Sequence, residues 1–89
     1  MSVLILTHGA CVAHDPGPHH PECPDRWRAV TRALEDETFS TLPRAEAPQA
    51  TREQILRVHP EAYLNAILES APATGDRVAL DADTIMSHG

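Results

Sequence analysis

The sequence predicts the N-terminal part of a larger α/β domain, and three observations lead to this fold class. They are an apolar opening run, two or three helical patterns behind it, and too few strands to build a sheet. The run Val3–Thr7 is apolar and β-branched without alternation, which favours a strand buried on both faces of a parallel sheet. No helix C-cap, tail or closing strand follows Gly89, so we expect residues 1–89 to be an incomplete domain.

The first helix is predicted to begin at Pro24 or at the residue after it, where a proline-rich stretch ends. Proline suits the first turn of a helix because its missing N–H would have no partner there. From that start, Trp27, Val30 and Leu34 recur at helical spacing. The next segment, residues 39–49, is interrupted by prolines and is therefore expected to be a connection.

Two further helices are predicted from local start and stop signals. Thr51-x-x-Gln54 has the spacing of a capping box, which predicts a short helix. That helix is expected to end at His59-Pro60, because the residue before a proline avoids the helical region, and Pro60 can open the next helix. The predicted buried stripe of this last helix is Tyr63, Leu64, Ile67 and Leu68. Residues 70–77 are expected to form a turn or loop.

Composition argues against several classes of protein. The net charge is −6, and the seven basic residues are arginines scattered along the chain, so a nucleic-acid partner is not expected. An acidic chain suits a cationic or amine-bearing substrate, although a solvated surface explains the same charge. The apolar runs are too short for a signal peptide or a membrane span, and two cysteines make a poor disulfide framework. We therefore expect a reduced, cytoplasmic protein without a membrane partner.

Residues 8–24 form a long aperiodic stretch, and long loops in compact domains tend to be functional. The loop contains the metal-ligand types His8, Cys11, His14, His19, His20 and Cys23. Cys11 with His14, and His20 with Cys23, could be two ligand pairs, but the spacer between them is short for a structural zinc site. We expect a functional loop that leads into a helix. A small, non-catalytic zinc-binding or interaction module built on this loop is the alternative.

A second polar cluster, Asp81 and Asp83, follows a short apolar run. In an extended segment, side chains at i and i+2 point the same way and could bind a cation or accept hydrogen bonds from substrate N–H groups. In a turn, they would cap the next element instead. His59 has a similar ambiguity, and a buried, hydrogen-bonded side chain is favoured there over a metal ligand.

Three segments match one family in order and spacing. His20–Arg26 matches an H-P-E-x-P-x-R motif, Val58–Leu64 matches V-H-x-x-x-Y-L, and Asp81–Thr84 matches D-x-D-T. Together they resemble the opening of the histone deacetylase superfamily. The resemblance is greatest to its bacterial class II-type members, which include acetylpolyamine amidohydrolases and acetoin-utilisation proteins. It covers essentially the whole chain.

The resemblance implies a deacetylase/arginase-like three-layer α/β domain with a central, mostly parallel sheet, of which residues 1–89 are the N-terminal part. It implies hydrolysis of acylated amines with a catalytic zinc held by two aspartates and a histidine, and with adjacent histidines in acid/base roles. In the family order these residues follow the D-x-D-T element. No catalytic residue and no metal ligand is therefore expected within this chain, which alone should be inactive.

For this chain, the resemblance implies one wall of a substrate tunnel. Asp83 is the first candidate, and Asp81 the second, for accepting hydrogen bonds from the N–H groups of an acylated amine. Acetyl-lysine and acetylpolyamines are the expected substrates. His20 and Pro21 are assigned to the tunnel wall, where rigid prolines preserve its shape at little entropic cost.

Other residues are expected to be structural. Glu22 and Arg26 lie four apart across a helix start and should form an ion pair. The expected core residues are Trp27, Val30, Leu34, Tyr63 and Ile67. The sequence leaves the oligomeric state open, and a homo-oligomer is compatible with it.

Overall fold

The computed structural model describes residues 2–89, in which four short strands and three α-helices occur. The strands are β1 (Ile5–Thr7), β2 (Arg44–Glu46), β3 (Arg77–Ala79) and β4 (Ile85–Ser87). The helices are α1 (Pro24–Ala33), α2 (Arg52–Leu56) and α3 (Glu61–Glu69). Single 3-10 segments lie at Gly9–Ala13 and Glu37–Phe39.

The strands form two separate pairs. β1 and β2 are parallel, with Ile5 opposite Arg44, and α1 lies in the crossover between them. β3 and β4 are antiparallel. This mixture of helices and strands agrees with a part of an α/β domain. A central sheet that joins the pairs is not seen in residues 2–89.

The expectation that residues 39–49 are only a connection is wrong at Arg44–Glu46, which form β2. These three residues have no apolar pattern that would predict a strand. Their conformation comes from pairing with β1: Ile5 N–H donates to the Pro43 carbonyl at 3.0 Å, and Ala47 N–H donates to the Thr7 carbonyl at 2.8 Å.

The helix starts lie where local signals predict them. α1 begins at Pro24, and Cys23 is its N-cap. At α2 both arms of the capping box form: Gln54 N–H donates to the Thr51 hydroxyl at 3.1 Å, and Thr51 N–H donates to the Gln54 side chain at 2.9 Å. α3 follows Pro60. None of the helices within residues 2–89 is long and apolar enough to cross a bilayer.

Burial is much lower than expected. Within residues 2–89, Leu64 is the only buried apolar side chain of a helix or strand, with 7% exposure. The loop residues Pro16 and Gly17 are also buried. Val30 and Tyr63 are 49% and 53% exposed, so their assignment to the core is wrong here. The other expected core residues are only half-buried, namely Trp27, Leu34 and Ile67. Leu68, expected in the stripe of α3, is exposed, because no second layer covers the helix.

The two faces of β1 are not enclosed either. Leu6 at the middle of the strand is 53% exposed, against the expectation of burial on both faces. A parallel pair normally lies in the interior of a domain.

The last segment, residues 77–87, folds as a β-hairpin rather than as a loop followed by one short apolar run. Arg77 opens β3 instead of ending a turn, and residues 80–84 connect it to β4. Leu80 N–H donates to the Thr84 carbonyl at 2.8 Å and closes this connection. The hairpin places both aspartates of the D-x-D-T motif in a turn.

Candidate functional site

A cleft of about 260 Å³ separates the loop before α1 from the hairpin. Its polar lining includes His14, His20, Glu22 and Asp83. Its apolar lining includes Pro16, Ile85 and Met86. Ligand pockets usually enclose about 300–1,000 Å³, so this open cleft falls just below the volume of a complete pocket. Residues of two of the three family-like motifs, H-P-E-x-P-x-R and D-x-D-T, line this cleft.

Asp15 attaches the loop to the hairpin. The Arg77 guanidinium donates to the Asp15 carbonyl from Nε at 2.8 Å and to its carboxylate at 3.1 Å, while Asp15 N–H donates to the Ser87 hydroxyl at 3.0 Å. Gly17 continues the turn with φ +115°, and the Arg77 side chain lies 3.6 Å from where a Cβ would be. These contacts attach the loop to the hairpin through residues distant in sequence, next to the cleft-lining Pro16 and Met86.

His20 links the loop to the turn of the hairpin. Glu22 N–H donates to His20 Nδ1 at 3.0 Å, and His20 Nε2 lies 2.9 Å from the Asp83 carbonyl. A backbone N–H can only donate and a carbonyl can only accept, so the two contacts together select the neutral tautomer with its proton on Nε2. Both ring nitrogens are therefore occupied in positioning the segment that carries Asp83.

The Asp81 side chain caps the turn formed by residues 80–84. Asp83 N–H donates to Asp81 Oδ1 at 2.8 Å. This backbone hydrogen bond, followed by that of the Thr84 hydroxyl, holds the pKa of Asp81 below its ordinary value. From the sequence, Asp81 could either bind a ligand in an extended segment or cap a turn, and in the structure it caps a turn. Asp83 is exposed and lines the cleft, with its backbone fixed on one side by Asp81 and on the other by His20.

The predicted ion pair at the start of α1 is confirmed. Arg26 donates to the two Glu22 carboxylate oxygens at 2.7 and 3.0 Å, a bidentate arrangement. The Arg26 hydrogen bond lowers the pKa of Glu22, and the same contact raises the pKa of Arg26. Both side chains are about half exposed, so the pair contributes little to stability by itself but sets the orientation of the cleft-lining Glu22. Pro21, assigned to the wall from sequence, is exposed and lies outside the residues that line the cleft.

The residues considered for zinc do not converge. Within residues 2–89 there is no group of three or more His, Cys, Asp or Glu side chains that could hold a metal. His8 is engaged elsewhere: its Nδ1 accepts from Ala10 N–H at 2.9 Å, and its Nε2 lies 3.3 Å from Glu46. The donor set of this part of the chain therefore does not fit the zinc that the family resemblance implies, and a zinc module on residues 8–24 gains no support.

His59 is exposed, so the expectation of a buried, hydrogen-bonded side chain is wrong. Its ring lies over that of Tyr63, with centroids 5.5 Å apart. The pair borders the surface of α3 rather than the cleft.

Sequence reasoning missed Asp15, Arg77 and Ser87 as positioning residues. Asp-Pro-Gly at residues 15–17 is a local turn signal. The partners of Asp15, however, lie 62 and 72 positions away. No spacing rule relates residues so distant.

The Asp81 turn is expected to respond to pH. Because its folded pKa is lowered, the charged carboxylate stabilises the turn fully above the ordinary value of about 3.9, and this contribution is lost as the pH falls through the lowered pKa. We expect the NMR signal of the Asp83 amide proton to move toward its random-coil position during an acid titration of the chain.

Asp81→Asn is the matched control for this titration. Its side-chain oxygen can still accept the Asp83 N–H, but it does not titrate in this range. An equal acid shift in Asp81→Asn would assign the effect to another carboxyl group, such as that of Asp83, and would contradict the prediction. Asp81→Ala is expected to lose the turn even at neutral pH.

Comparison with known proteins identifies similar sequences. Residues 20–89 match the family model for the histone deacetylase domain, which includes every residue of the His20, Asp81 and Asp83 cluster. The chain is also 34% identical over 89 residues to the uncharacterized protein slr0245 of Synechocystis sp. (strain ATCC 27184 / PCC 6803 / Kazusa). That alignment covers 96% of this chain and 29% of the relative, so the chain spans about three tenths of that protein's length.

Proposed function

Because the chain belongs to the histone deacetylase family, we propose that it forms one wall of the substrate site of a zinc-dependent amidohydrolase. The reaction is removal of acetyl groups from acylated amines. The observation that carries this proposal is the contact between His20 and Asp83, 63 positions apart, at the edge of one cleft. It joins the two motifs that the family resemblance assigns to substrate binding.

Each part of the cleft has a role in binding. The Asp83 carboxylate accepts hydrogen bonds from the N–H groups of the substrate. The apolar side chains of Ile85 and Met86 contact the methylene chain that separates the amide from the rest of the amine. His20 and Asp81 position Asp83 and do not themselves need to reach substrate.

Charge supports a cationic substrate. Asp83 borders the cleft, as does Glu22, whose charge is paired with Arg26, and the chain has a net charge of −6. A negative rim raises the local concentration of a positively charged ligand. An acetylpolyamine provides an amide at the end of an alkyl chain and positive charge on its remaining amines. Acetyl-lysine in a peptide provides the same amide and alkyl chain, and any positive charge comes from neighbouring residues of the peptide.

This chain supplies no step of the bond cleavage in the proposal. The resemblance assigns the metal ligands and the acid/base histidines to segments that follow the D-x-D-T element. Residues 2–89 bind and orient the substrate, and they shield one side of the reacting amide from water.

The proposal is tested in a completed protein, in which residues 1–89 replace the matching segment of the Synechocystis relative. We expect acetate release from an acetyl-lysine peptide or a mono-acetylated polyamine, loss of that release after removal of metal by a chelator, and recovery on addition of zinc. The unaltered relative is the control. A folded chimera that releases no acetate, while the relative does, would contradict the role of this chain.

A further inference from the structure

His20 is held by two hydrogen bonds that together specify its protonation state. Glu22 N–H donates to its Nδ1 at 3.0 Å, and its Nε2–H donates to the Asp83 carbonyl at 2.9 Å. In the charged imidazolium both nitrogens carry a proton, so Nδ1 can no longer accept the Glu22 N–H. The Nε2 proton is present in both forms, so the contact with the Asp83 carbonyl does not itself oppose protonation. The arrangement of the loop therefore fits the neutral ring and not the charged one.

The backbone next to His20 depends on these contacts. His19, directly before it, has φ +67°, a left-handed conformation that is uncommon for a residue with a side chain. Such a conformation persists where surrounding contacts over-determine it. The His20 ring makes two such contacts, one within the loop and one to the hairpin turn. Loss of the Nδ1 contact therefore frees the ring to take another orientation.

On the cleft, His20 lies beside ionisable side chains of the loop and of the hairpin turn, namely His14, Glu22 and Asp83. Arg26 of α1 occupies both carboxylate oxygens of Glu22. Asp81, behind the turn, accepts the Asp83 N–H. The Asp83 carboxylate itself forms no ion pair within residues 2–89. It is therefore the free carboxylate that a charged His20 ring meets in the cleft.

His20 also borders a second, more polar depression at the start of α1. The ionisable side chains there are Asp15, His19, Cys23, Asp25 and Arg28. Both carboxylates are already paired, Asp15 with Arg77 and Asp25 with Arg28. This depression therefore offers an added positive charge no free carboxylate, and Asp83 is left as its partner.

We propose that His20 is a pH-sensitive positioning residue of the substrate site. The neutral ring holds the Asp83 backbone at the cleft, whereas the charged ring leaves the Glu22 N–H and pairs with the Asp83 carboxylate. That pair occupies the acceptor which the substrate N–H groups need, and its positive charge opposes a cationic amine. This regulation rests on the proposed function, in which Asp83 binds the substrate.

The direction of the effect follows from the form of the ring that fits the loop. Histidine ordinarily changes charge between about pH 5 and 8. Affinity for the acylated amine is expected to be full above the midpoint of the His20 ring and to be lost as the pH falls through it. The Asp81 turn responds at lower pH, because the pKa of that carboxyl group is lowered.

The protonation step is tested in the 89-residue chain without substrate, by NMR of the histidine ring nitrogens, whose signals report which nitrogen carries the proton. We expect neutral His20 to carry its proton on Nε2, and the Glu22 amide signal to shift at the midpoint of the His20 ring. His20→Gln should abolish this shift, and His59→Gln, outside the cleft, should preserve it. A neutral ring protonated on Nδ1, or a Glu22 amide that does not follow the ring, would overturn the proposal.

The effect on binding is measured in the completed protein as the KM for a mono-acetylated polyamine at a series of pH values. One pH unit below the ring midpoint, about a tenth of the rings are neutral, so KM should be about tenfold higher than at high pH. In His20→Gln, the side-chain amide can donate to the Asp83 carbonyl at every pH, so KM should change less than about twofold. The profile of kcat, which reports the catalytic groups of the relative, should be the same in both proteins.

His20→Ala is the second variant, and it removes both contacts. Its KM should be high at every pH, close to the acid limit of the unaltered protein. An equal acid rise of KM in His20→Gln would assign the response to His14 or Asp83 and would contradict the proposal. A chimera that releases no acetate contradicts the proposed function, whereas the coupling of His20 to Glu22 is measured without substrate and is decided separately.

Discussion

Replacement of Asp83 by alanine in the completed protein is expected to lower kcat/KM for an acetyl-lysine peptide by about 10- to 100-fold, because hydrogen bonds to a charged group are worth about 1.5–3 kcal/mol and each 1.4 kcal/mol is a factor of ten. The carboxylate is the exposed acceptor at the edge of the cleft, whereas the carboxylate of Asp81, in the same turn, already accepts the Asp83 N–H. Steady-state kinetics with the peptide as the varied substrate measures the effect.

Asp81→Asn is the control for this substitution. It preserves the oxygen that accepts the Asp83 N–H, so kcat/KM should change by less than about threefold, within the range of a surface substitution. If Asp81→Asn and Asp83→Ala were equally defective, the charge of Asp81 would be needed as well, and its assignment to turn capping alone would be contradicted.

The isolated 89-residue chain is expected to release no acetate from an acetyl-lysine peptide or from an acetylpolyamine, even with added zinc. Amide hydrolysis in this family requires an activated water and a polarised carbonyl, and metal-ion and acid/base catalysis each contribute large parts of the rate. Residues 2–89 gather no set of three metal-binding side chains. A sensitive acetate assay at high chain concentration measures any residual rate.

The matched control for this experiment is the completed protein at the same concentration. Turnover by the isolated chain above the zinc-only background would contradict the prediction. It would place catalytic groups within residues 1–89, and the His20 and Asp83 cleft would become their first candidate location.

Local interactions explain what sequence reasoning predicted correctly. The capping box at Thr51 and Gln54, the proline start of α1 and the ion pair between Glu22 and Arg26 all involve groups within four positions of each other. Their geometry follows from helix spacing alone. The three motifs likewise identified the family, because order and spacing are properties of the sequence itself.

Pairing between residues that are far apart in the sequence explains what sequence reasoning missed. β2 is a strand because β1 lies beside it, not because Arg-Ala-Glu favours extended structure. The hairpin depends on contacts between its two arms, and the loop is attached to the hairpin by the contact between Asp15 and Arg77 across 62 positions. None of these relations repeats with a period, so no local pattern predicts them.

The sequence by itself determined the helix starts, the family and the residue types available for substrate binding. Only the tertiary structure decided that Asp81 caps a turn, that His20 holds Asp83 at a cleft, and that half of the apolar stripe of α3 is exposed. The physical reason is that hydrogen-bond geometry within one turn is set by backbone spacing, whereas burial depends on which distant segments arrive to exclude water.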